Sequence, residues 1–189
     1  GGDEAEKTYW KTCPLCQKRI NEEGLKDEHE LQSWFIKRIE KFIIKNNKKL
    51  IGWDEILEGG LAPSATVMSW RGVHGGIESA RAGHDVIMCP TSHCYFDHHQ
   101  AAPEFSSDAF GGYTTLKKVY SFDPIPEELS KNQSNYILGG QGNLWTEYVQ
   151  TPDLAQYRVL PRMAALSEVL WTGSGSYTFE NFYYRLIEI

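Results

Sequence analysis

Four short, continuously apolar runs, each ending in aromatic and polar residues, constrain this chain most. Leu50-Ile51-Gly52 leads into Trp53-Asp54-Glu55, and Thr66-Val67-Met68-Ser69 into Trp70-Arg71. Val86-Ile87-Met88-Cys89 leads through Pro90 to Tyr95-Phe96-Asp97, and Tyr136-Ile137-Leu138-Gly139 to Trp145-Thr146-Glu147. Runs this short and unalternated read as parallel strands buried on both faces. Helical or loop segments separate them. Strand, polar residues and helix in repetition is the (β/α) barrel pattern, in which functional groups gather at the C-terminal ends of strands.

A complete barrel has eight strands and typically about 250 residues, whereas this chain has 189. The reading is therefore an α/β fold: a truncated (β/α)8 TIM barrel, occupying 1–189 as one partial domain. Gly1-Gly2-Asp3-Glu4 would be the tip of a strand whose body is lost.

Apolar residues at helical spacing from Leu25 to Lys45 (Leu31, Trp34, Phe35, Ile39, Phe42 and Ile43) predict an amphipathic helix. A short helix is expected over Gly75–Ala82, closed by Gly83. A longer one over Asp153–Leu170 must kink or restart at Pro161, and a last one runs from Phe179 to Ile189. The Gly-, Ser- and Asp-rich stretch from Ala101 to Pro126 reads as a long loop. Trp34 and Trp171, on helices, are expected in the core.

A net charge of −6 argues against a nucleic-acid partner, which needs a basic face. No apolar run approaches the length of a membrane span. Cys13-Pro14-Leu15-Cys16 has the spacing of a zinc or redox pair, but a disulfide or free thiols are favoured there and for Cys89 and Cys94. His93, Asp97, His98 and His99 cluster, yet no metal site and no cofactor is expected. Asn132-Gln133-Ser134 fits a glycosylation sequon.

The residues at the strand ends carry the chemistry. Asp3-Glu4 is a carboxylate pair, and a neighbouring charge with partial burial can keep one partner protonated as a general acid. Six tryptophans offer flat faces on which sugar rings stack. In order along the chain, Gly1-Gly2-Asp3-Glu4, Gly52-Trp53-Asp54-Glu55, Ser69-Trp70, Tyr95-Phe96-Asp97, Trp145-Thr146-Glu147, Pro161-Arg162 and Ala165-Leu166-Ser167-Glu168-Val169-Leu170-Trp171 resemble the motifs of bacterial-type glycoside hydrolase family 20 β-N-acetylhexosaminidases.

The resemblance implies that the chain is the C-terminal half of the TIM barrel, starting with Gly1-Gly2-Asp3-Glu4 at the tip of the fourth strand. It implies an exo-acting retaining glycosidase that removes terminal β-linked N-acetylhexosamine, with the substrate's own acetamide as nucleophile. It implies Glu4 as general acid/base, Asp3 as the residue that orients the acetamide N–H, and Tyr95 as donor to the acetamide oxygen. Trp53, Trp70 and Trp145 would wall the sugar, and Asp97 and Glu147 would accept bonds from its hydroxyls. Asp54 and Glu55 are expected to be structural. The implied partner is a glycan bearing a terminal N-acetylhexosamine, met outside the cytoplasm. Alternatives are a catalytically incomplete fragment and a non-hydrolytic GlcNAc-binding module. A half barrel leaves two unpaired strand edges, so the chain is expected either to be poorly active or to self-associate through them.

Overall fold

The computed structural model describes residues 4–102 and 108–188. Four parallel strands, β1 (Ile51–Trp53), β2 (Thr66–Ser69), β3 (Val86–Met88) and β4 (Ile137–Gly140), pair in sequence order, β1-β2-β3-β4. The apolar runs give these strands to within a residue or two. Register pairs Gly52 with Val67 and Val67 with Val86, and it shifts between Val86 and Ile87 where β3 meets β4.

Val67, Ser69, Val86 and Met88 share the helix-facing side and are wholly buried. The cluster behind β3 and β4 adds Phe96, Val119, Phe122, Ala165, Leu166 and Phe182, drawn from the helices and connecting segments that follow. A second cluster seats Ile36 against Leu50, Ile56 and Val67. The opposite side of the sheet is less covered: Ile51 is exposed, and Met68 and Ile87 are only half-buried.

Before β1 come α1 (Thr8–Thr12), α2 (Pro14–Glu23) and α3 (Glu28–Lys45). The sequence pattern finds α3 but begins it too early. Asp27 caps it by accepting from the main-chain N–H groups of His29 and Glu30. Its buried side also differs from the expected apolar stripe. Leu31 and Ile36 are buried, but so are Gln32, Ser33 and Glu40, while Phe35 is 51% and Phe42 67% exposed.

Hydrogen bonds explain that choice. Gln32 donates to the Glu55 carbonyl, Ser33 to the Gly60 carbonyl, and Glu40 accepts from both N–H and hydroxyl of Ser64. The helix is thereby pinned onto the β1–β2 connection, and Phe35 and Ile39 are left lining an apolar groove beside Ile51 and Met68.

α4 (His74–Arg81) follows β2 as expected, with Gly83 at φ 84° just beyond it. After β3 come α5 (Thr91–Cys94), α6 (Leu116–Tyr120) and α7 (Lys131–Ser134). The stretch expected to be one long loop thus contains α6, capped by Thr115, and 103–107 lie outside the described residues. Pro161 restarts the helix, separating α8 (Pro152–Val159) from α9 (Arg162–Thr172) before α10 (Phe179–Ile187).

Neither helical tryptophan is core. Trp171 is 92% exposed, because it points away from the face of α9 that buries Ala165, Leu166 and Val169. Trp34 is half-buried between the guanidinium groups of Arg19 and Arg38, 5.2 and 4.8 Å from its ring centre. All four cysteines are free thiols, with Cys89 and Cys94 buried.

Candidate active site

Each strand delivers its polar residues to the same end of the sheet. β1 ends at Trp53, whose chain turns at once into a 3-10 segment, Asp54–Leu57. Gly52 fits this turn because a Cβ there would lie 2.9 Å from two Ile56 side-chain carbons.

Asp54 and Glu55 are buried and point at the neighbouring strand end. Asp54 accepts from the main-chain N–H of Trp70 (3.0 Å) and from Arg71. The Trp70 indole N–H donates to Glu55 at 2.9 and 3.1 Å. This pair therefore holds Trp70 in place, the structural part expected of it.

After β3, α5 leads to Tyr95 and Asp97. Phe96 N–H donates to the Asn143 carbonyl and Asn143 N–H to the Cys94 carbonyl, both at 2.7 Å, so the β3 and β4 ends are laced together. Trp145 and Glu147 follow β4.

These elements surround one cavity of about 230 Å³ lined by Glu4, Trp53, Trp70, Tyr95, Asp97, Phe110, Trp145 and Glu147. Every described residue expected in the site is there. Asp3 lies outside the described residues. Trp53 and Trp145 tilt against each other with ring centres 5.8 Å apart, and Trp70 stacks near Tyr95 at 6.4 Å. Glu4, exposed and at φ 52°, sits at the open rim.

Phe110 escaped the sequence reading. It lies at the far end of the Gly- and Ser-rich stretch, 6.4 Å from the Tyr148 ring. Its only local signal is the Gly111-Gly112 turn beside it, at φ 85° and 66°.

Asp97 stands apart electrostatically. It is 4% exposed, and neither carboxylate oxygen has a hydrogen-bond partner among the described residues. Burial pushes its carboxyl up; its own main-chain N–H and His98 pull it back, and Glu147 adds to the rise. Burial likewise raises the Tyr95 hydroxyl, which keeps it a neutral donor. Among the described residues no group of three or more His, Cys, Asp or Glu is placed to hold a metal ion.

A family model, glycosyl hydrolase family 20, catalytic domain, matches residues 1–174. The chain belongs to glycoside hydrolase family 20. Among family 20 relatives, it is 54% identical to a β-hexosaminidase of Porphyromonas gingivalis over 98% of its own length and 24% of that protein's. A β-hexosaminidase of Akkermansia muciniphila is 31% identical over 100% of this chain and 38% of the relative. Of solved family 20 structures, an exo-β-N-acetylglucosaminidase of Vibrio harveyi in complex with N-acetylglucosamine superposes with TM-score 0.86 at 29% identity, over 99% of this chain and 30% of that one. A chitobiase of Flavobacterium johnsoniae gives 0.81 at 31% identity, over 100% of this chain and 28% of its own. The chain thus spans between about a quarter and two-fifths of these relatives, and its four-stranded sheet is part of the family 20 barrel.

One ion-pair hub ties the Glu4 segment to this family 20 site. Glu58 accepts from Lys7 at 2.8 Å and from Arg71 at 3.0 Å, with His29 at 3.2 Å. Burial opposes its ionisation, but the bonds from Lys7 and Arg71 prevail and hold its carboxyl at about 2. A depressed carboxyl stabilises the fold above its unfolded value, about 4.3, and loses that contribution as pH falls towards 2. Glu58→Gln should therefore cost about 1 kcal/mol at neutral pH, allowing for solvent screening, and only a small part of that near pH 2. Urea denaturation at the two pH values tests this; a cost independent of pH would rule out the charge as its origin.

Proposed function

We propose that this chain carries the site of an exo-acting, retaining glycoside hydrolase that removes terminal non-reducing β-linked N-acetylhexosamine, GlcNAc or GalNAc. The observation that carries the reading is Asp97: a buried carboxylate without a hydrogen-bond partner among the described residues, on a residue that lines a cavity walled by three indoles. Leaving such a group unpaired costs stability, and sugar hydroxyls are the donors that such a cavity lacks. Glu147, at the rim, accepts further hydroxyls.

In this reading the 2-acetamido oxygen of the substrate attacks the anomeric carbon while Glu4 protonates the departing glycosidic oxygen. An oxazolinium forms. Asp3 orients the acetamide N–H and offsets the positive charge, and Tyr95 donates to the acetamide oxygen. Glu4, now a carboxylate, takes a proton from water, which opens the oxazolinium at the anomeric carbon with net retention. Trp53, Trp70 and Trp145 enclose the sugar and keep stray water from the intermediate. The reaction asks for no cofactor.

The test is turnover of an aryl N-acetyl-β-glucosaminide beside the matching glucoside. Cleavage of the first alone supports acetamide participation; equal cleavage of both rejects it.

A second reading, an incomplete site in the isolated chain, is favoured by the exposure of Glu4 and the 42% exposure of Trp145. Among the described residues β1 and β4 are the outer strands of the sheet, and sheet edges invite association. The 189-residue chain is accordingly expected to self-associate, with light scattering after size exclusion as the check; a compact monomer at high concentration would count against it. Work on extracellular or periplasmic glycans is the setting that best fits this substrate class.

A further inference from the structure

We propose that Arg162, at the start of α9, is a positioning residue of the sugar site: its guanidinium gathers main-chain carbonyls on both sides of Asp97 and so fixes the loop that presents Tyr95 and Asp97. The loop-holding part stands on geometry alone; its consequence for sugar binding rests on the function proposed above.

A guanidinium has five N–H donors in a rigid fork. All five are used here, and all by carbonyl oxygens. Nε donates to Arg158 at 3.0 Å; one terminal nitrogen donates to His98 at 3.1 Å and Thr114 at 2.9 Å; the other donates to Phe96 and again to Arg158, each at 2.5 Å. The side chain is wholly buried, and the Phe96 ring centre lies 5.1 Å from its central carbon. It makes no ion pair with a carboxylate among the described residues.

The targets matter more than their number. The Phe96 carbonyl lies in the peptide that enters Asp97 and the His98 carbonyl in the peptide one residue beyond it, so turning both towards Arg162 fixes the chain before and after the Asp97 side chain. The Asp97 carbonyl accepts instead from Phe110 N–H, at 3.4 Å. The loop is held from behind by α9 and from the side by Phe110, with Asp97 left lining the cavity. Thr114 brings the stretch after Phe110 to the same cation.

An apolar residue could fasten α9 to this loop more cheaply, since a buried charge must recover a large desolvation cost. A cation adds what an apolar residue cannot: positive potential behind a carboxylate that must stay ionised although buried. Burial, then Arg158, lower the Arg162 pKa to about 10, so it is still protonated at neutral pH.

The experiment compares Arg162→Met and Arg162→Lys with the wild type in the full polypeptide. Lysine keeps the charge but has three donors and no fork, so it is the milder change. Hydrogen exchange of peptides spanning 94–99 and 112–116 should accelerate at least tenfold in Arg162→Met and less in Arg162→Lys, while peptides of β1 and β2 stay unchanged. Affinity for N-acetylglucosamine should fall tenfold or more in Arg162→Met, yet less than twofold when the same change is added to Asp97→Ala.

Unchanged exchange in the loop would overturn the proposal, as would equal losses of affinity in both backgrounds, the mark of a purely structural residue. If Arg162→Met does not fold, Arg162→Lys carries the same two comparisons. If neither folds, the wild-type Arg162 Nε–H resonance decides: slow exchange with solvent and a shift on sugar titration are expected, and rapid exchange would overturn the loop clamp. A wild type that neither binds nor cleaves N-acetylglucosaminides would reject the proposed function, while the exchange measurements would still decide whether Arg162 holds the loop.

Discussion

Glu4→Gln is expected to lower turnover of an N-acetyl-β-glucosaminide by about 10²–10⁴-fold, the usual range for loss of a general acid/base. Glutamine keeps the shape and the rim position of Glu4 but cannot lend a proton to the leaving oxygen. The loss should therefore depend on the leaving group. A sugar or unactivated alcohol departs badly as an alkoxide and should suffer the full loss. A strongly acidic phenol needs little protonation, so formation of the oxazolinium should be almost spared and its breakdown by water should become limiting. Steady-state and burst kinetics over a series of aryl leaving groups make the check. A loss that is the same for every leaving group would mean that Glu4 acts through substrate placement and not through proton transfer.

Asp97→Asn should move activity and stability in opposite directions. Hydrogen bonds to a charged group contribute about 1.5–3 kcal/mol each, so kcat/KM is expected to fall about 100-fold or more. Monodeoxy substrates locate the effect: the sugar lacking the hydroxyl read by Asp97 should lose reactivity with the wild type and almost none with the variant.

The unliganded protein should meanwhile gain about 1–3 kcal/mol, since an unpaired buried carboxylate disappears. The sign with pH follows from the raised carboxyl. Below the ordinary aspartate value of about 3.9 both folded and unfolded forms are protonated, and wild type and variant should be equally stable. As pH rises from that value towards the elevated folded one the wild type falls behind, and the gap is complete above the folded value. Thermal denaturation across that range tests it. A variant less stable at neutral pH would mean that the carboxylate already has a partner in the empty site.

What the sequence made legible and what it hid divide along physical lines. The four strands were legible because parallel strands buried on both faces leave unbroken apolar runs, and the site was legible because its residues sit immediately after those runs. Trp70 could be placed from Ser69-Trp70, and the structural part played by Asp54 and Glu55 from their position beside Trp53. Phe110 was hidden because a surface-exposed ring in a Gly-rich stretch has no periodicity to mark it. The helix α6 was hidden by the turn residues on both sides.

The errors on α3 and α9 have a common source. Periodicity reports which face is apolar, whereas Gln32, Ser33 and Glu40 show that hydrogen-bond partners can decide which face docks. Trp171 shows that an apolar side chain on a helix need not belong to its buried stripe. Arg162 was legible only as part of a motif, since nothing in a sequence says that an arginine will be met by four carbonyls.

Trp53 ends the first strand of the sheet and Trp145 lies in the segment after the last, yet their rings nearly touch, 5.8 Å apart and inclined by 50°. Two chromophores so close share their excited states, and the resulting circular-dichroism couplet depends steeply on separation and angle. The protein thus contains its own optical gauge of how tightly the sheet curls. Any event that opens or closes the arc, including arrival of a sugar against the indoles, would be recorded in the sign and size of that couplet without an added label.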